Sequence, residues 1–138
     1  PRWIELVGTK KANQYVKSQT IPILLDIEGQ PVKRNFVHVE DLVSSILKAV
    51  DHPKAFQQLF NVCMDRPVDY GQVAEHLQQS RGLPSVGVQA EYHSTWMDNT
   101  KAKFLLDWRP DYDLVRLIDG AWDYKRSADD PRKIWYPG

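Results

Sequence analysis

The segment VKRNFVHVEDL, at residues 32–42, holds the side chains best suited to bind an anionic ligand. Arg34 carries a planar guanidinium whose donors match two phosphate oxygens at once, and Lys33 beside it could add charge. His38 and Asp41 follow in the same segment. For Asp41 the position favours a helix-start acid that ties loops together. The segment predicts an anion site centred on Arg34, with a surface arginine paired to an acid as the alternative.

Other reactive residue types lack the spacing that catalysis or metal binding requires. Cys63 is the single cysteine, which excludes an internal disulfide framework and a cysteine-rich zinc site, and no base is placed near it in sequence. We interpret it as a small core residue. Trp96 and Tyr92 could stack on a nucleotide base, with packing in a core or an interface as the alternative. Three histidines show no metal-ligand spacing: His52, His76 and His93.

Helices and strands alternate along the chain, which is typical of an α/β layered fold. Apolar periodicity and capping residues predict helices over residues 1–20 (weakened at Gly8), 40–51, 69–82, 98–108 and 113–124. Strands are predicted over residues 21–27 and 86–92, and a further extended run, residues 32–39, could pair with the first as a hairpin. The polar, proline-bearing residues 127–138 are predicted to form an irregular tail.

The apolar run LFNVCM, residues 59–64, is predicted to be a strand buried on both faces, as in a parallel sheet. Such a strand needs parallel neighbours, and few other segments of this chain are apolar enough to supply them. Either the sheet is small and mixed, or the neighbouring strands lie in sequence that this chain does not contain.

The length predicts one domain, residues 1–138, and the single cysteine favours a reduced, cytoplasmic setting. The 18 Lys and Arg balance the 18 Asp and Glu, so no global field attracts nucleic acid or an anionic membrane. No apolar stretch approaches the roughly 18 residues of a membrane span, and no signal peptide is visible. The first residue is Pro1 rather than methionine, so the chain is processed, tagged or a piece of something longer, and we expect a piece.

Three segments together resemble the extended short-chain dehydrogenases/reductases, the NAD-dependent epimerase/dehydratase family. Residues 32–42 are similar to the family's R-D-[FY]-[IV]-H-V-x-D-[LV] stretch. Residues 59–77 (LFNVCMDRPVDYGQVAEHL) are similar to its F-N strand entering a helix, and residues 96–110 (WMDNTKAKFLLDWRP) to its D-x-[ST]-K-A segment ending in W-x-P. They occur in the family's order and with roughly its spacing. One such motif alone would be weak evidence, whereas three in order indicate the resemblance.

The resemblance implies a C-terminal, substrate-binding fragment of an extended Rossmann-type fold, with a small mixed sheet and flanking helices. In the family the F-N strand joins a parallel nucleotide-binding sheet built mainly by the N-terminal half. That Rossmann half of the parent chain would be the main partner. This chain has no G-x-x-G-x-x-G after a strand, and none of its six tyrosines is followed by lysine at Y-x-x-x-K spacing. NAD or NADP would therefore bind the parent, with no cofactor and no catalytic residue expected in this segment.

For individual residues, the resemblance implies one substrate contact and several structural roles. In sugar-nucleotide members, the arginine at the position of Arg34 binds the substrate diphosphate. The remaining matched positions are expected to be structural rather than catalytic: His38, Asp41, Asn61, Asp98 and Lys101. Two departures matter: residues 63–65 replace the usual G-x-G, and residues 88–93 lack the family's second arginine, which leaves the nucleotide-sugar substrate open.

The expected function is the substrate-binding portion of an NAD(P)-dependent sugar-nucleotide epimerase/dehydratase or related oxidoreductase, inactive alone. The alternative is a stand-alone, non-catalytic ligand-binding or dimerisation module derived from that family. A small molecule, such as a nucleotide sugar, and a homodimer or domain-swapped dimer are the expected partners beside the Rossmann half; nucleic acid and membrane are not.

Overall fold

The computed structural model describes residues 2–125 of the chain. The elements follow one another in this order: α1 Arg2–Val7, α2 Thr9–Lys17, β1 Ile21–Leu25, β2 Lys33–Arg34, α3 Val39–Ala49, β3 Val68–Asp69, α4 Tyr70–Arg81, β4 Ser85–Gln89, α5 Thr100–Leu106 and α6 Leu114–Asp123. The predicted irregular tail at residues 127–138 lies outside the described residues. No helix in the described part of the chain is long and apolar enough to cross a membrane.

Local capping signals explain where the predicted helices begin and end. His38, Asp69 and Asp113 are the N-caps of α3, α4 and α6, and each side chain accepts a backbone amide of the first turn. Gly82 ends α4 in the left-handed conformation that glycine adopts without a Cβ penalty. The predicted first helix is divided into α1 and α2 at Gly8, whose φ is 80°.

Two small sheets form within residues 2–125. Strands β1 and β4 are parallel, in register from Ile21 opposite Ser85 to Leu25 opposite Gln89, and β2 pairs antiparallel with β3. The predicted hairpin between residues 21–27 and 32–39 forms only at its turn, where an isolated bridge joins Leu25 to Pro31. Beyond that turn the predicted pairing is wrong. The second run turns away because Arg34 pairs with Val68, far along the chain.

The strand predicted at residues 59–64 is also wrong, because the segment has no regular secondary structure. Leu59 is 83% exposed, whereas Cys63 and Met64 are buried. Within residues 2–125, the one backbone–backbone hydrogen bond of this segment is donated by the Met64 amide to the Phe36 carbonyl, at 2.8 Å. A strand exists only when a neighbour accepts its hydrogen bonds, and apolar composition alone does not supply that neighbour.

The tightest part of the core lies around α5. Ala102, Leu106 and Trp108 form a buried cluster, against which Phe60 and Val62 pack. The Trp108 indole donates to the Ser44 hydroxyl at 2.9 Å and to the Asp41 carbonyl at 3.2 Å. These bonds fix α5 to the start of α3, since a buried indole N–H requires an acceptor.

Helix α3 is oriented with its polar side inward. Its buried residues are Asp41 and Ser45, whereas its larger apolar side chains face solvent. We call the exposed set the α3 apolar face; it comprises Val39, Val43, Ile46, Leu47 and Val50, which are 49–70% exposed. An amphipathic helix normally buries its apolar stripe, whereas residues 2–125 leave this face exposed.

Candidate ligand-binding site

A loop of residues 92–98 lies across β2 and forms the surroundings of Arg34. The Thr95 amide donates to the Lys33 carbonyl and the Lys33 amide donates to the Ser94 hydroxyl, both at 3.1 Å. The Met97 amide donates to the Asn35 side-chain oxygen. These bonds hold the 92–98 loop beside the strand although about sixty residues separate them in sequence.

The other end of the 92–98 loop is tied to the turn after β1 through Asp26. One Asp26 carboxylate oxygen accepts the Glu28 and Gln30 amides, each at 3.0 Å, and the other accepts the Ser94 hydroxyl at 2.8 Å. The Ser94 hydrogen bond is the main cause of a lowered pKa for Asp26. No sequence motif pointed to Asp26 or Ser94, since their pairing depends on the fold.

Arg34 lies at the edge of a small cavity of about 270 Å³, which is lined by Arg34, Asn35, Thr95, Trp96 and Met97. The Arg34 guanidinium lies over the Tyr92 ring, 5.1 Å from its centroid, which restricts the orientation of the guanidinium. Trp96 is 60% exposed at the same cavity. The arrangement presents one cation and one open aromatic surface side by side.

Lys33 does not line this cavity. Its ammonium lies 3.6 Å from the Asp69 carboxylate, at the start of α4. Adjacent residues of a strand point to opposite faces, so Lys33 and Arg34 do not converge on one ligand in this geometry.

His38 and Asp41, predicted to be structural, lie where α3 meets the chain before α6. The His38 ring stacks on Tyr112 with centroids 3.6 Å apart, and its Nδ1 accepts the Glu40 amide at 3.2 Å. Asp41 is 2% exposed, and its carboxylate accepts the Asp111 and Tyr112 amides at 2.9 and 3.2 Å. Neither side chain faces the Arg34 cavity.

The remaining predicted positions lie around the start of α5. The Asn61 side-chain NH2 donates to the Asp98 carbonyl at 2.9 Å, and the Asp98 carboxylate accepts the Thr100 backbone amide at 2.7 Å. Hydrogen bonds from Thr100 lower the pKa of Asp98. The Lys101 ammonium lies 5.3 Å from the centroid of the Phe60 ring.

Asn99 is a buried polar residue that sequence reasoning missed. Its side chain, in a residue that is 6% exposed, donates to the Cys63 carbonyl at 2.9 Å and to the Asp65 carboxylate at 3.0 Å. The same Asp65 oxygen accepts from the Lys103 ammonium at 2.8 Å, and this bond is the main cause of the lowered pKa of Asp65. The only sequence signal was the position of an asparagine before a helix.

Cys63 is 1% exposed, and its thiol donates to the Met97 carbonyl. Burial raises the pKa of the thiol, and the nearby carboxylates of Asp98 and Asp65 raise it further. A protonated, enclosed thiol is a poor nucleophile, in keeping with a packing role. In the described residues, no group of acidic, histidine or cysteine side chains could hold a metal ion.

Within residues 2–125, the turn at Gly71 does not leave an amide open for a pyrophosphate. Gly71 follows a strand and opens α4, but a Cβ there would lie 3.0 Å from both Pro31 Cγ and the Asp69 carboxylate. The amide that a pyrophosphate would need is already bound to that carboxylate, at 2.8 Å.

Tyr112 does not have the surroundings of an acid/base tyrosine. Tyr112 has Arg116 four residues later, with the guanidinium 4.1 Å from the centroid of its ring. The Tyr112 hydroxyl donates to the Glu40 carboxylate at 2.8 Å, which raises the pKa of the tyrosine. An acid/base tyrosine requires the opposite shift, toward neutral pH.

A larger cavity of about 550 Å³ lies between β1, α4 and α6, and its lining is almost entirely apolar. On its α4–α6 side, the Asp119 carboxylate accepts from Arg81 at 2.9 Å and lies 3.0 Å from His76 Nε2. The His76 contact is the main cause of the lowered pKa of Asp119. The cavity offers no charged lining residue for a polar reaction.

No protein-family model matches the chain. Among curated proteins it is similar to the chloroplast stem-loop binding protein of 41 kDa b of Arabidopsis thaliana, with 22% identity over 67% of this chain and 30% of that protein.

Solved structures of similar fold belong to the short-chain dehydrogenases/reductases and sugar-nucleotide epimerases. A short-chain dehydrogenase/reductase superfamily protein from Agrobacterium tumefaciens with bound NAD has a TM-score of 0.68 and 22% identity, over 86% of this chain and 38% of that protein. Helicobacter pylori ADP-L-glycero-D-manno-heptose-6-epimerase has a TM-score of 0.60 and 20% identity, over 86% and 35%. Bacillus cereus UDP-N-acetylglucosamine 4-epimerase has a TM-score of 0.58 and 21% identity, over 78% and 38%. The chain spans only about a third of the length of each of these proteins.

Proposed function

We propose that this chain, which has the fold of part of the epimerases in the short-chain dehydrogenase/reductase superfamily, is the C-terminal, substrate-binding portion of such an enzyme. The parent would be an NAD(P)-dependent, cytoplasmic sugar-nucleotide epimerase, dehydratase or related oxidoreductase. The segment supplies substrate contacts but no catalytic group and no cofactor site. Those parts would come from an N-terminal Rossmann half.

The α3 apolar face is the observation that carries this proposal. Five apolar side chains on α3 and its C-cap are 49–70% exposed, while the helix buries Asp41 and Ser45. Exposed apolar patches of this kind mark interaction surfaces. Because the solved proteins of similar fold are more than twice as long as this chain, the simplest cover for this face is the remainder of the parent chain.

Arg34 supports the substrate-binding part of the proposal. It lines an open cavity, it is oriented by Tyr92, and no ion pair with an acidic residue occupies it within residues 2–125. A guanidinium left open in this way suits phosphate oxygens. Binding of the substrate through Arg34 therefore fits the site better than catalysis does.

Titration calorimetry with NAD and NADH tests whether the cofactor site lies outside this segment. The 138-residue chain alone should release no measurable heat and show no oxidoreductase turnover, whereas the full-length parent should bind NAD or NADP. A thermal-shift screen of the parent against nucleotide sugars, with Arg34→Ala alongside, would identify the substrate. Tight, stoichiometric binding of NAD by the 138-residue chain would overturn the proposal.

The alternative is a stand-alone, non-catalytic ligand-binding or dimerisation module derived from this family. Its exposed apolar face would then be covered by a second copy. The upstream gene sequence separates the two possibilities. A strand followed by G-x-x-G-x-x-G and a later Y-x-x-x-K supports the enzyme portion, whereas an open reading frame that begins near Pro1 supports the module.

A further inference from the structure

The charge available at the Arg34 cavity is a single positive charge. Arg34 is the one charged residue among the five that line it. The adjacent Lys33 is engaged elsewhere, at Asp69. A lone guanidinium matches one phosphate or carboxylate in a bidentate pair, whereas clamping a diphosphate takes a second cation.

The second feature of the cavity is an open aromatic ring. Trp96 is 60% exposed and lies next to Thr95, which is hydrogen-bonded to the β2 backbone at 3.1 Å. The backbone before Trp96 is therefore held against β2, and the Trp96 indole lines the same cavity as Arg34. An exposed aromatic surface in this setting can stack on a planar ring, which adds affinity without needing a specific hydrogen-bond pattern.

The volume sets the third limit. At about 270 Å³, the cavity is slightly smaller than typical ligand pockets, which span roughly 300–1,000 Å³. A planar ring with one anionic group is commensurate with this space.

From these three features we infer that the Arg34 cavity binds a ligand with one anionic group next to a planar aromatic ring. The anion pairs with Arg34 and the ring stacks on Trp96. The inference rests on the proposed substrate-binding role and narrows it to a class of ligand. The anion can be the phosphate of a nucleotide or the carboxylate of an aromatic acid, and the two sources share the same chemistry at Arg34.

Ligand titrations followed by NMR of the tryptophan indole N–H groups, on the 138-residue chain, test this inference. The probes are uridine monophosphate, uridine diphosphate, uridine, inorganic phosphate and benzoate. Either uridine monophosphate or benzoate should be the tighter-binding probe. Uridine lacks the anion and inorganic phosphate lacks the ring, so each should bind at least about tenfold more weakly than that probe. The ranking of uridine monophosphate against benzoate identifies the source of the anion, and the second phosphate of uridine diphosphate should add less than about threefold.

Matched variants assign the contacts. Arg34→Gln and Trp96→Leu should each weaken binding of the preferred probe by about tenfold or more. Arg109→Gln removes the same charge from an exposed position away from the cavity, and Trp122→Leu removes a similarly exposed indole on α6; both should leave affinity unchanged. Circular dichroism and thermal unfolding confirm that each variant is folded.

Two results would overturn the inference. One is a preference of at least about tenfold for the diphosphate over the monophosphate, which requires a second cation. The other is the absence of binding by every probe at millimolar concentration. Neither result alters the NAD titration or the upstream gene sequence, so failure of this inference is distinguishable from failure of the proposed function.

Discussion

Asp41 illustrates how a buried carboxylate can organise a connection between distant segments. It lies on the inner side of α3 and accepts two successive amides, from Asp111 and Tyr112, in the chain that leads to α6. Hydrogen bonds from amides to an ionised acceptor are stronger than those between neutral groups, and they offset the cost of burying the charge. The side chain therefore fixes the approach to α6 rather than any ligand.

Replacing this carboxylate by an amide should weaken the connection. Asp41→Asn keeps the shape but leaves one acceptor oxygen for two donors, so we expect the free energy of unfolding to fall by about 1–3 kcal/mol. Urea unfolding followed by tryptophan fluorescence measures the change. Asp51→Asn is the matched control, because Asp51 is exposed and its positive φ suits asparagine equally well. Equal stability of the two variants would contradict the assigned role.

Acid should destabilise the fold through carboxylates whose pKa is lowered. Asp65 is held ionised mainly by Lys103, and its folded-state pKa lies below the unfolded value of about 3.9. Its contribution is thus fully present above that pH and is lost as pH falls through the lower folded value. Asp65→Asn should lower stability near neutral pH and flatten the decline below about pH 4, as measured by urea unfolding at several pH values. An unchanged acid slope would count against the Asp65–Lys103 contact.

At the scale of elements, the pairing of β1 with β4 places Gly87 against the end of the Leu25 side chain. A Cβ at this position would lie 2.8 Å from Leu25 Cδ1, on the neighbouring strand. Gly87→Ala should therefore cost about 1–3 kcal/mol of unfolding free energy, since the Leu25 side chain must shift.

Gly120, inside α6, is the matched contrast. A Cβ there meets nothing within 4 Å, so Gly120→Ala should stabilise the chain by about 0.4–1 kcal/mol through helix propensity and a less flexible unfolded state. Thermal unfolding of the two alanine variants should shift in opposite directions. A shift in the same direction would mean that the Leu25 side chain moves aside at little cost.

Elements with local signals could be predicted from the sequence, whereas the pairing of strands with distant partners could not. Helices α3, α4 and α6 each have a capping side chain and apolar periodicity within a dozen residues, and these local features predict a helix. The run at residues 59–64 carries equally strong apolar composition, yet a strand depends on a neighbour that composition does not specify.

The candidate site divides in the same way. Arg34 was predicted from a short motif, and the structure places it at a cavity. The 92–98 loop that completes the cavity depends on bonds from Ser94, Thr95 and Met97 to β2, across about sixty residues. No local pattern encodes those contacts. The hydrogen bonds of Asn99 could not be predicted for the same reason.

At the scale of the whole molecule, the α3 apolar face determines how the isolated chain should behave. Leu47 is 70% exposed and Val43 is 49% exposed, and neighbouring Val39 lines the same shallow groove with them. An uncovered apolar surface associates in water because its burial is favourable by roughly 25 cal/mol per Å². The 138-residue chain should therefore self-associate, with a weight-average sedimentation coefficient that rises with protein concentration.

Charges placed on the α3 apolar face should suppress that association. Val43→Lys with Leu47→Lys makes the face costly to bury, so the double variant should sediment as a monomer over the same concentrations. Gln72→Lys with Gln78→Lys adds the same net charge to exposed positions on α4 and should leave association unchanged, which separates the local effect from general repulsion.

In the full-length parent, the α3 double variant should lower the thermal unfolding temperature, because the same face would be covered by the remainder of the chain. Loss of association with both pairs would attribute it to net charge, and a parent indifferent to the α3 pair would mean that this face is covered by something other than its own N-terminal half.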